Sequence, residues 1–189
     1  SYTAKHKAMG GYWKSDRLEL MLEDTLEKKY GQGDWIVNES NQNIFLNRSL
    51  IQSKKLSLKE IQHEVATLAL EFPEVHQAFT SSDLNQFRGG DLIKSMAQNG
   101  FDSSRSGDVV YILKPGYIEY GMTGTTHGSP YTYDTHVPAI FFGAGVRKGE
   151  TFERCTIADI APTVSMLAGF ALPDACTGTP IVESIAPRR

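Results

Sequence analysis

Apolar residues recur through the first half of the chain at helical and strand periods in turn. Leu18, Leu22 and Leu26 stand four apart behind Ser15, a good helix cap, and Gly31 follows Lys28, Lys29 and Tyr30, so the spacing predicts a helix over residues 15–30. Residues 34–39 and 43–47, rich in Trp35, Ile36, Val37, Ile44 and Phe45, flank Ser40, Asn41 and Gln42 and predict a β-hairpin. Ser57-Leu58-Lys59-Glu60 reads as a capping box, and Leu58, Ile61, Val65, Leu68 and Phe72 then alternate in steps of three and four until Pro73. Residues 75–80 predict a strand, and residues 10–13 another ahead of the first helix. Strand, helix, hairpin, helix, strand is the order of a ferredoxin-like split unit with both helices on one sheet face, assigned to residues 1–82.

Beyond residue 82 the pattern changes. A polar stretch at 81–90 and a short helix at 91–98 lead into 108–113, a nearly unbroken apolar run of the kind buried on both faces of a sheet. Residues 114–138 read as a long loop rich in Gly, Thr, Ser, Pro and Tyr. A connection of about 25 residues without elements is well beyond the usual length and is often functional. Strands at 139–142 and 152–157 and a helix at 160–168, with Pro162 in its first turn and Gly169 at its end, complete a second expected domain over 83–189. The whole reads as α/β, or as α+β if the chain stands alone.

Composition narrows the function by exclusion. Nineteen Lys and Arg against 22 Asp and Glu give a net charge of −3, too balanced to draw the chain onto nucleic acid or an anionic membrane. No apolar run approaches the roughly 18–20 residues of a membrane span. The sequence opens at Ser1 without a methionine, a basic stretch or an apolar leader, which reads as a processed or excised chain. Cys155 and Cys176 allow either one disulfide or two free thiols, and their spacing fits neither a zinc knuckle nor a redox pair.

The long loop carries the candidate chemistry. It contains His127, Asp134 and His136 within ten residues, among glycines and prolines and beside predicted strands. Imidazole and carboxylate in such a setting suit a hydrolytic zinc site, although loop histidines also commonly serve only as hydrogen-bonding groups. Asp134 and His136 are two apart, so in an extended segment they face the same way and the carboxylate orients the imidazole; an Asx-type turn at Asp134 is the alternative. His6 lies in a terminus expected to fray, His63 on the polar side of its helix and His76 at the start of a strand, all with structural or solvated roles. No dinucleotide-binding glycine fingerprint, phosphate loop or nucleophile elbow is present. Arg88-Gly89-Gly90-Asp91 reads as an anion site at a helix start or, more simply, as the helix entry.

Ser106-Gly107-Asp108-Val109-Val110, Gly124-Thr125-Thr126-His127-Gly128-Ser129-Pro130, Tyr133-Asp134-Thr135-His136-Val137-Pro138, Asp159-Ile160-Ala161-Pro162-Thr163 and Gly178-Thr179-Pro180-Ile181 resemble, in order, the carboxyl-terminal part of alkaline phosphatase superfamily enzymes. The branch they resemble is the type I phosphodiesterases and nucleotide pyrophosphatases, with the bacterial zinc alkaline phosphatases that use a threonine nucleophile. Asn43-Ile44-Phe45-Leu46-Asn47-Arg48 is similar to the subdomain inserted in those enzymes.

The resemblance implies an α/β core with a mostly parallel sheet between helices. It also implies two zinc ions at the carboxyl ends of strands, attack of Thr or Ser on phosphorus, and a periplasmic or secreted location. By the motif, His127 is a zinc ligand, with Asp134 and His136 as support behind it. The family's nucleophile and most of its ligands, including an Asp-His-Gly motif, have no match here, and the chain contains no Asp-His pair. No catalytic residue is therefore assigned, and the chain alone is expected to be inactive on the phosphate mono- or diesters that the intact enzyme takes as substrates. Apolar surface left at 109–113 and 139–142 predicts self-association. The alternative is a non-catalytic module of the same fold that binds a metal or a partner.

Overall fold

The computed structural model describes residues 10–86, 89–119 and 126–186. His6, Arg88, Gly124 and Thr125, singled out above, lie outside the described residues. The chain forms two compact units, Ser1–His136 and Val137–Arg189.

The first unit contains β1 (Gly11–Trp13), α1 (Ser15–Tyr30), β2 (Ile36–Ser40), β3 (Asn43–Leu46), α2 (Arg48–Ser53) and α3 (Leu58–Ala69). It continues with β4 (Val75–Thr80), α4 (Ser81–Gln86), α5 (Leu92–Asn99), β5 (Val109–Leu113), β6 (Tyr117–Glu119) and α6 (Thr132–Thr135). Strands order as β2-β3-β5-β4 in an antiparallel sheet, while β1 pairs in parallel with β6. The ferredoxin-like reading is thus corrected in one place. The central position expected for the first strand is taken by β5, and β1 leaves to join β6 in a separate two-stranded ribbon. For the same reason the sheet does not close at residue 82: its central strand arrives more than twenty residues later, and the unit extends to His136. The strand expected to be apolar on both faces instead alternates, with Val109, Tyr111 and Leu113 buried and Val110 and Ile112 partly covered.

The helices supply the other side of the core. Leu18, Leu22 and Leu26 of α1 and Ile61 and Val65 of α3 join Ile44, Leu46, Val109, Tyr111 and Leu113 in one buried cluster, so both helices cover the same sheet face. Ser15 is the first helical residue of α1 rather than its cap, and the cap position, Lys14, has no side-chain cap bond. Ser57 caps α3, its side chain accepting from the Glu60 amide, which is the first half of the expected capping box. The hairpin turns on Asn41 and Gln42, both at positive φ, as a tight turn between right-twisted strands demands. The short helices α2 and α4 were not expected; α2 is announced only by Asn47, whose side chain accepts from Leu50 N. Asp91 accepts from Lys94 N and so occupies the amide end of α5 with its own carboxylate, which favours the plain helix-entry reading over an anion site.

Asp108, just before β5, is the buried charged side chain among the described residues of this unit. Its carboxylate accepts from Leu46 N at 2.9 Å, Arg48 Nε at 3.0 Å and Gln62 Nε2 at 2.9 Å, joining β3, α2 and α3 to the central strand.

In the second unit, helix α7 (Ile160–Ala168) follows a 3-10 turn at Ile157–Asp159 and ends on Gly169 in the left-handed conformation, as its sequence predicts. The strands expected at 139–142 and 152–157 do not form among the described residues: residues 139–142 and 152–156 carry no regular element, Ile157 opens the 3-10 turn, and Ile140, Phe142 and Phe152 are exposed. An apolar strand needs ladder partners on its edges, and no described strand provides them. Two of the quoted motifs interlock instead. Asp159 accepts from Thr179 N at 2.7 Å and Thr156 N at 2.6 Å, while the Thr163 hydroxyl donates to Asp159 O and accepts from Ile181 N at 2.8 Å. A methyl group at Gly178 would lie 2.1 Å from the Ala158 carbonyl oxygen, so only glycine permits this approach. Cys155 and Cys176 are both free thiols. No helix among the described residues is long and apolar enough to cross a membrane.

Candidate functional site

The loop between β6 and the end of the first unit is built on tyrosines and one carboxylate. Gly116, at positive φ, turns the chain from β5 into β6. After residues 120–125, His127 lies exposed beside Gly128, which also has positive φ and open space around its α-carbon. Tyr131 packs back on the sheet: its hydroxyl donates to Leu113 O at 2.7 Å, and its ring lies 6.4 Å from His76 and stacks on Tyr133 at 5.8 Å. The Tyr133 hydroxyl accepts from Gly116 N at 3.2 Å. These contacts tie the end of the loop to β5 and to the turn that follows it. Partial burial, with Tyr133 beside it, holds the Tyr131 phenol above its ordinary pKa, so it stays a neutral donor.

Asp134 lies in α6, a single helical turn, and its carboxylate accepts from Ser129 N at 2.9 Å. That bond closes the segment following His127 into a compact bend. His136 follows α6 at its C-cap, exposed, and its amide donates to Thr132 O. The extended geometry in which Asp134 would orient the His136 ring is therefore not formed: a helical turn sends residues two apart to different sides, and the carboxylate is already engaged by the loop. The structure does bring Asp134 to the bend that follows His127, two residues beyond it at Ser129. Tyr133 opens one of the quoted motifs and Tyr131 directly follows another, but nothing in either pattern points to an anchoring role.

For zinc, the donor chemistry at His127 is suitable, since an exposed imidazole beside a glycine on a bend is an accessible ligand. Among the described residues no three His, Cys, Asp or Glu side chains gather to hold a metal. His127 is thus the candidate ligand position among the described residues, and a closed or catalytic zinc site needs at least three protein donors. The Ser129 hydroxyl is buried on the same bend without a hydrogen-bond partner among the described residues.

No family model matches the chain. It is 32% identical over 181 residues to alkaline phosphatase PafA of Elizabethkingia meningoseptica, covering 95% of this chain and 33% of that protein. It is 28% identical over 186 residues to a calcium-transporting ATPase of Myroides odoratus, covering 97% of this chain and 34% of that protein. The crystal structure of wild-type alkaline phosphatase PafA superposes with a TM-score of 0.86 at 31% identity, over 98% of this chain and 35% of that one. The chain spans about a third of the length of the curated relatives it matches. Its homologues include alkaline phosphatases, and it resembles the carboxyl-terminal portion of that larger enzyme.

Proposed function

We propose that this chain is the carboxyl-terminal third of a zinc-dependent phosphoric ester hydrolase, exported to the periplasm or secreted, and that His127 is one of its metal ligands. The observation that carries the reading is the match to alkaline phosphatase PafA over 98% of the chain, with a TM-score of 0.86. The exposed His127, beside a glycine, supports it from the chemistry of the chain itself. When bound, zinc supplies Lewis acidity for the charge that develops on phosphorus-bound oxygens. The residues of this chain hold the ligand in place. Asp134 fixes Ser129 and the bend behind His127, Tyr131 anchors that bend to β5 and Tyr133 to the turn after it, and His136 stands at the exit of the same helical turn.

The nucleophile and the remaining ligands belong to the part of the enzyme that this chain does not span, so the isolated chain is inactive and self-associates. Substrates are phosphate esters, and monoesters are distinguished from diesters by testing both. In the intact parent, His127→Ala lowers zinc-dependent hydrolysis of 4-nitrophenyl phosphate, or of its diester analogue, by at least about a hundredfold, the scale of losing a catalytic metal's positioning. Hydrolysis unchanged by the substitution removes His127 from the site, and a parent inactive on both substrates favours a non-catalytic module.

A further inference from the structure

The two phenols that fasten the segment after His127 are not equivalent. Tyr131 is partly buried, and its hydroxyl donates to Leu113 O, at the end of the central strand β5, over 2.7 Å. Tyr133 is 56% exposed, and its hydroxyl accepts from Gly116 N over 3.2 Å. A short bond shielded from water holds better than a longer one open to it, so Tyr131 carries the attachment. Tyr133 braces it, its ring stacked on that of Tyr131 at 5.8 Å. Bonds inside the segment converge on the same residue. Asp134 N and Thr135 N both donate to Tyr131 O, at 2.9 and 3.0 Å, and the Asp134 carboxylate in turn accepts from Ser129 N. Tyr131 thus holds the bend through its backbone and the sheet through its hydroxyl. Both phenols reach backbone that is already fixed. Leu113 is buried and in register with Val75 of β4, while Gly116 O accepts from Gly11 N of β1 at 3.1 Å. A methyl group at Gly10 would lie 2.3 Å from that Gly116 oxygen, so the turn is pinned against the chain entering β1.

We propose that Tyr131 is a positioning residue of the metal site: its hydroxyl bond to β5 sets where the His127 bend stands, and so how tightly zinc is held there. This rests on the reading of His127 as a zinc ligand, and it assigns part of the affinity to a phenol four residues further along that never touches the metal. Freeing the bend leaves the imidazole in place as a donor. Its ordering then falls to the binding step, and that entropy is subtracted from the affinity. Loss of a group that orients a metal ligand typically costs about 10- to 100-fold in affinity. Tyr131 acts on the bend rather than on the imidazole, so the lower end of that range is expected.

The test is Tyr131→Phe, which deletes the hydroxyl and keeps a ring to stack on Tyr133 and to meet His76. On this chain, amide hydrogen exchange at Ser129, Asp134 and Thr135 is expected to speed up by as much as about tenfold, the worth of one hydrogen bond, while β4 and β5 keep their protection. In the intact parent, the zinc dissociation constant is expected to rise about tenfold, with full occupancy regained at excess zinc. Tyr133→Phe changes both readouts less, and His127→Ala loses the zinc without such recovery. Unchanged exchange in Tyr131→Phe overturns the proposal. So does a wild-type zinc affinity in Tyr131→Phe beside a loss in His127→Ala. Zinc binding unmoved by His127→Ala instead contradicts the ligand reading, and amide exchange still decides whether Tyr131 holds the bend.

Discussion

Asp108 enters the core just ahead of β5 with a side chain 3% exposed, so its charge must be met inside the fold. The guanidinium of Arg48 lies 2.9 Å from it, and the Leu46 amide and the Gln62 side chain complete its coordination. Gln62 is itself held by both hydroxyls that follow β4, donating to Ser81 and accepting from Ser82. Truncation leaves three donors aimed at an empty site. Asp108→Ala is expected to destabilise the chain by about 3 kcal/mol, because desolvated donors lose their partner while Arg48 still reaches solvent. The urea midpoint measures it, and a shift within the scatter of surface substitutions contradicts the role. The neighbouring Gly107 is fixed by the same junction, since an added methyl group would sit 2.7 Å from Ile44 O.

Elements with a repeating apolar stripe were legible in the sequence. The leucines of α1, the alternating steps of α3 and the Pro162-to-Gly169 frame of α7 each carry the period and the end signals of the helix that forms. The hairpin was legible for the same reason, with Asn41 and Gln42 supplying the left-handed turn. What the residues did not disclose is pairing. The sequence of β5 says strand, but nothing local says that it enters between β3 and β4 or that β1 will pair with β6 instead. Strand order is decided by which apolar faces α1 and α3 can cover, a property of the assembled core. The strands expected at 139–142 and 152–157 show the converse: apolar residues alone do not make a strand without an edge to pair with. At the candidate site, the motif and its glycine single out His127, whose role as a ligand is the proposal, whereas the Tyr131 and Tyr133 anchors were not legible. The partnership of Asp134 with Ser129 depended on a helical turn that the loop composition concealed.

At the scale of the whole molecule, the second unit keeps its apolar residues outward. Ile140 is 85%, Phe142 100%, Phe152 93% and Ile157 87% exposed, far more than scattered surface residues require. By contrast, the strand at 109–113 is covered within its own sheet, so the expected apolar surface narrows to residues 137–182. The isolated chain is therefore expected to sediment as an oligomer, and Phe142→Ser with Phe152→Ser to shift it toward the monomer; a monodisperse wild-type monomer at high concentration contradicts this. The central claim, that this chain supplies one wall of a phosphatase metal site, is tested most directly by the zinc content of the purified intact parent. The account predicts that His127→Ala loses about one zinc per molecule from a two-metal site while its fold is retained. A His127→Ala protein that holds the same zinc as the wild type contradicts it.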